Sequence, residues 1–215
     1  MKKGTQVVLL AACAGIVICV AQADELSEKC DFSDLDVEKM VDSIVRRLPQ
    51  SYSTPGQKPE EIVLGITMDP PVLKGLDNFE PYGPLFSYCR KGAKLVQLDL
   101  VTDRLMELSA AWKTCNGKEG VIGTYGTARV TVTFEVVNVT GEDNFQAKGK
   151  KLVLHSDPNP VDVSVVSVYI RGVGELLSNV VSASRLFLPK LPTELLTNEV
   201  RFRFRQILKD LTERP

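Results

Sequence analysis

The chain has 215 residues, 44% hydrophobic and 25% charged, with 26 basic and 27 acidic side chains, one histidine, one tryptophan and five cysteines. So even a balance builds no cationic field for a nucleic-acid backbone, and five cysteines are too few for a small disulfide-stapled inhibitor. Stability must come from a hydrophobic core, which a chain of this length is large enough to build.

The N-terminus places Lys2 and Lys3 before an apolar run over residues 7–20, then the triplet Ala21, Gln22, Ala23. Charge, apolar core and cleavage site in that order predict a secretory signal over residues 1–23 and a secreted mature domain over residues 24–215. The run is shorter than the roughly 20 residues of a membrane-spanning helix, and no later stretch is long and uncharged enough, so no transmembrane segment is expected. Cys13 and Cys19 leave with the signal, while Cys30, Cys89 and Cys115 remain for an oxidising compartment. Three is odd, so one is left over. Asn138, Val139 and Thr140 form an acceptor sequon, which places a surface glycan on Asn138.

In chain order, the first mature element is a helix. Ser33 is the expected N-cap, with Asp36 three residues on, Arg46 and Arg47 late, and Pro49 beyond. Val37, Met40, Val41, Ile44, Val45 and Leu48 recur at steps of three and four and make one apolar stripe. Residues 50–60 read as a surface linker and 61–68 as a first strand.

From there to Arg171 the period is two. Val96, Leu98 and Leu100 alternate with polar residues, as do Met106, Leu108, Ala110 and Trp112, which is the pattern of half-buried antiparallel strands. A turn at Thr102 and Asp103 is expected to join these runs as a hairpin. Its register sets Cys89 opposite Cys115, predicting a disulfide between them and leaving Cys30 free or paired to another molecule. Val130, Val132, Phe134 and Val136 alternate next. In the following run the apolar parity changes from Val161, Val163 and Val165 to Val166, Val168 and Ile170, so a bulge is expected near Val165. Bulges bend sheets.

Beyond Gly172 and Gly174 the period returns to helix: Leu176, Leu177, Val180 and Val181, then residues 186–188, then Leu195, Leu196, Val200, Phe204, Ile207, Leu208 and Leu211. Pro189 and Pro192 should kink or split this rod. Arg201, Phe202, Arg203, Phe204 and Arg205 alternate like a strand, but their flanks are helical. The resulting fold class is α+β: a strongly curved antiparallel sheet, a half-barrel, wrapped around a long proline-kinked C-terminal helix, with an N-terminal amphipathic helix.

Chemistry is scarce by contrast. His155 is the only imidazole, and its neighbours Ser156 and Asp157 sit on alternate faces of a strand, so the three do not make a triad. Gly120, Gly123 and Gly126 lack the helix, lysine and acid of a phosphate loop. No catalytic residue, metal site or cofactor is expected. The surplus is apolar, in two amphipathic helices and a one-sided sheet that leave an elongated cleft.

The element order and several short strings resemble the tubular lipid-binding superfamily, in particular the arthropod takeout, juvenile-hormone-binding and group 7 mite allergen proteins. Gly75, Leu76, Asp77, Asn78 and Phe79 are similar to a takeout string, residues 95–112 to the alternating hairpin that follows, Gly123, Thr124 and Tyr125 to its Gly-x-Tyr, and Pro189 or Pro192 to a helix proline. The resemblance implies a helix-in-sheet unit, a hydrophobic ligand and no catalysis. Cys30 stands where takeout proteins have a close cysteine pair.

The leading expectation is extracellular binding of a lipid or other elongated apolar molecule, lined by Val41, Ile44, Leu177, Val180, Val181 and Phe187 with Trp112, Val132 and Phe134 opposite. The second is an interaction module with a filled interior, acting on a host or other extracellular protein. A lipocalin-like barrel and an enzyme follow.

Overall fold

A computed structural model describes residues 30–63, 65–138, 149–173 and 190–213. Residues 1–23, where a signal is expected, and Thr140, Leu177, Val180, Val181, Phe187 and Pro189 lie outside the described residues.

Among the described residues the fold is mostly an open antiparallel sheet with a short N-terminal helix and a C-terminal helix. Helix α1 (Val37–Val45) is capped by Asp36, whose side chain accepts from the Lys39 amide at 3.2 Å. Ser33 is therefore not the N-cap. Its amide and hydroxyl both donate to Asp31, which closes a separate turn ahead of the helix.

The segment read as linker and first strand is more divided than its pattern suggests. It holds β1 (Ser51–Tyr52), β2 (Glu60–Val63) and β3 (Ile66–Met68), the last two turning at Gly65 with φ of +76°. After β4 (Val72–Lys74) and a 3-10 turn (Leu76–Asn78), strand β5 (Phe79–Arg90) pairs with β6 (Ala93–Thr102) through Lys91 and Gly92, both in the left-handed region. A two-residue turn of that kind matches the twist of a hairpin. The hairpin partner of β6 is thus β5, upstream of it.

Strand β8 (Glu119–Asn138) organises the rest. Along one edge it pairs first β7 (Met106–Thr114), then β6. Along the other it pairs β10 (Asn159–Arg171) and β9 (Lys150–Leu154). Strand β7 in turn carries β4 and β3 on its outer edge.

This arrangement corrects the expected hairpin at Thr102 and Asp103. Val101 faces Arg129 and Met106 faces Gly126, so residues 102–105 oppose only residues 127 and 128. The chain bends there and continues along the same edge of β8, so β6 and β7 lie end to end instead of side by side.

The expected disulfide fails with the hairpin. Cys89 lies opposite Lys94 at one end of this path and Cys115 lies beyond the other end, a contour of roughly 60 Å at the usual rise per residue. Cys89 instead pairs with Cys30, with Cα atoms 5.6 Å apart, and Cys115 is free and exposed. The Lys94 ammonium donates to the Asp31 carbonyl and holds the incoming chain against the β5–β6 hairpin.

The parity change in β10 is real. Its register with β8 slips between Val165 and Ser167, so Val163 opposite Ala128 and Val168 opposite Thr124 share the inner face. A second slip between Pro160 and Asp162 was not anticipated, and Val161 and Val166 both point outward to solvent. Helix α2 (Leu191–Glu213) includes residues 201–205, with Arg201, Phe202 and Arg205 exposed and Arg203 and Phe204 buried, and Pro192 sits in its first turn, where a missing amide breaks no helical bond.

The core lies between this inner face and the two helices. Val96, Leu98, Leu100, Val130, Val132 and Phe134 of the sheet meet Leu196, Val200, Phe204, Ile207 and Leu208 of α2 and Met40, Val41 and Ile44 of α1. The rings of Phe79 and Phe204 approach to 4.6 Å. One cation is enclosed with them. Arg203 is 1% exposed, donates to Glu199, and gives a second hydrogen bond to the Tyr52 carbonyl at 2.8 Å. Pairing and full hydrogen bonding are what make a buried guanidinium tolerable.

Candidate functional site

The inner face of β8 has two halves, divided at Gly126. A methyl group at Gly126 would stand 2.7 Å from Leu196 Cδ2 and 2.5 Å from the Ser164 carbonyl. The missing side chain lets the first buried residue of α2 settle onto the strand. From Gly126 onward, α2 and α1 cover the sheet, and the expected lining residues Val41, Ile44, Val132 and Phe134 all belong to this packed cluster. There they touch other side chains.

The other half begins at Thr124, whose hydroxyl donates to the Ser167 carbonyl at 2.9 Å. Directly opposed residues on paired strands share a face. The register therefore puts Ala110, Ile122 and Ile170 together, Trp112 beside Met68 and above Gly120, and Leu108 with Thr124 and Val168. Ala110 and Trp112 are buried, and Ile122, Val168 and Ile170 are half-buried. Ala110 and Trp112 are not part of the cluster beneath α1 and α2. The apolar strip of the sheet thus outruns these two helices.

Trp112 is the one expected lining residue that the structure puts in this second half. A methyl group at Gly120 would fall 2.0 Å from the Arg171 carbonyl, 2.5 Å from indole Cζ2 and 2.7 Å from Cε2. Glycine here leaves room for the backbone of β10 and for an aromatic ring. On the opposite face Gly123 does the same for Tyr169, which stacks on Tyr125 at 5.2 Å and carries the Arg171 guanidinium at 5.0 Å over its ring.

That outer face is polar and knitted by carboxylates. Glu107 accepts from the Tyr169 hydroxyl and from Lys74 at 3.2 Å. Burial pushes its carboxyl up, but these two donors outweigh burial and hold it below the usual range. Asp99 behaves likewise: burial raises it, while Thr131 at 2.5 Å and Arg129 at 3.0 Å bring it down. The Tyr169 phenol is pushed up, first by burial and then by its bond to Glu107.

His155 is exposed and faces Glu135 at 3.0 Å, while Asp157 pairs with Arg205 at 3.0 Å. His155 and Asp157 therefore serve different partners. Among the described residues, no group of three or more histidine, cysteine or acidic side chains could hold a metal ion. No helix of those residues is long and apolar enough to cross a membrane. Asn138 is exposed at the end of β8, which is open to a glycan. Compared with known proteins, the chain matches no family model, and no curated protein matches it significantly.

Proposed function

We propose that this is a secreted, non-catalytic binder or carrier of a lipid or other elongated apolar molecule, held along the inner face of a bent sheet. The observation that carries the reading is the mismatch of lengths: the apolar strip continues through Ala110, Trp112, Ile122, Val168 and Ile170 past the cluster that α1 and α2 close. Apolar surface on this scale is normally covered, by the chain itself or by a ligand. The register slips in β10 support a bent sheet, since each adds a residue to one strand of the pair and increases local twist.

The Cys30–Cys89 disulfide and the exposed Asn138 suit export, as does the signal-like N-terminus. The element order suits the tubular lipid-binding resemblance, and with it an arthropod carrier. Native mass spectrometry of the secreted protein, followed by lipid extraction, tests the reading. We expect co-purified apolar molecules at up to one per chain, or uptake of a fatty-chain probe by the emptied protein. Protein that emerges empty and takes up no probe refutes it.

A second reading is favoured by a different observation. Tyr82 and Phe86 are exposed on the outer face of β5, opposite Asp99 and Gln97, and Arg129 lies 4.9 Å over the Tyr82 ring. Exposed aromatics beside an arginine are typical anchors of a protein interface. On this reading the protein engages a host or extracellular protein through its outer face.

A further inference from the structure

Trp112 is the only tryptophan of the chain and is 8% exposed. Its indole N–H has no hydrogen-bond partner among the described residues, where it is the only buried side-chain donor or acceptor left so. Buried donors are nearly always paired, because an unpaired one has given up its bond to water for nothing. The ring is held where it is by design of the backbone beneath it: Cε2, which carries the nitrogen, sits over Gly120, where any side chain would displace it. An orphan donor thus lies at the end of the sheet that α1 and α2 leave outside their cluster.

We propose that Trp112 is the polar anchor of the apolar ligand, its N–H donating to one neutral acceptor oxygen such as a ketone or ester carbonyl. This rests on the ligand-binding reading above. The neutrality follows from what shares the face. The positions in register around Trp112 are Met68, Ala110, Gly120, Ile122 and Ile170, which offer no cation. Arg171 is in register with Val121, on the opposite face, with its guanidinium over Tyr169. A carboxylate here would find no counter-charge among these described positions, whereas a carbonyl needs only one donor. The ligand class is therefore an extended hydrocarbon carrying a carbonyl, and a free fatty acid fits less well.

The test uses the full-length secreted protein and displacement of a fluorescent naphthylamine probe by 2-undecanone, undecane and laurate, in wild type and Trp112→Phe. Loss of the hydrogen bond should weaken 2-undecanone by about tenfold, while undecane, which loses only the part of the indole that phenylalanine lacks, changes by no more than about threefold. In wild type, 2-undecanone should compete better than laurate. Because there is one tryptophan, the indole N–H gives one proton–nitrogen cross-peak, which should move downfield with the ketone and stay put with undecane. Equal losses for ketone and alkane, or an unmoved cross-peak, overturn the anchor while leaving the carrier reading intact. Laurate competing better than the ketone overturns the neutral-oxygen assignment. A probe that never binds overturns the carrier reading itself.

Discussion

The two halves of one sheet face are built from the same alternating pattern and end in different states. Beyond Gly126 the face is sealed by two helices, stapled by Cys30–Cys89, and filled by a cluster that holds Phe134 and the paired rings of Phe79 and Phe204. Before Gly126 the same strand carries Thr124, Ile122 and Gly120, and the paired β7 brings the buried indole with its unpaired N–H and, past its end, a free, exposed Cys115. Periodicity decides which side chains face inward. It does not decide what meets them there, and the proposed ligand is assigned to the half that the described helices do not finish.

The largest expected effect comes from removing the staple. Cys30 and Cys89 are 59 residues apart in sequence, and the loop they close is worth about 4 kcal/mol in the chain-entropy account. Cys30→Ser with Cys89→Ser should lower the urea midpoint accordingly, while Cys115→Ser should shift it by less than about 0.5 kcal/mol, as surface changes do. Peptide mapping should find the Cys30–Cys89 link. A Cys89–Cys115 link would restore the hairpin that the register of β8 rules out.

Next comes packing. Phe134→Ala empties a fully enclosed site and should cost about 3 to 4 kcal/mol. Ile122→Ala trims a half-buried residue of the other half and should cost only about 1 kcal/mol in ligand-free protein. Denaturant titration of both variants measures the contrast. Equal losses would mean that the two halves are packed alike, and the site would lose its basis.

Much of this was legible in the sequence, for a local reason. Val96, Leu98 and Leu100, then Met106 through Trp112 at alternate positions, face inward because a strand alternates faces whatever it pairs with. The α2 stripe and the β10 bulge are equally local. The failures share a cause too. Whether β6 folds back on β7 or continues past it depends on β8, which enters the chain only afterwards and separates the two ends of the path. The disulfide inherited that error, and Ser33 lost the cap because Asp31 already held it. The orphan N–H of Trp112 was invisible because satisfaction is a property of neighbours brought from β3, β8 and β10. Its one sequence signal was Gly120, weighed there only as part of a phosphate loop, whereas in the fold it makes room for the Arg171 carbonyl and the indole ring.

The smallest effect concerns the outer face, where the two halves should behave alike. Asp99 lies in the packed half and Glu107 in the other, and each is raised by burial but held below its ordinary value by the hydroxyl and cation that bond it. A carboxylate whose folded pKa is depressed contributes stability that is fully present above its unfolded value, near pH 4, and is lost as the pH falls through the folded value. Stability should therefore decline on acidification from about pH 5 downward, and Asp99→Asn and Glu107→Gln should each flatten part of that decline. Midpoints of urea unfolding between pH 3 and pH 7 measure it. If Glu107→Gln flattened the profile and Asp99→Asn did not, the division at Gly126 would run through both faces of the sheet. Equal flattening would confine it to the inner face, where only the covering elements differ.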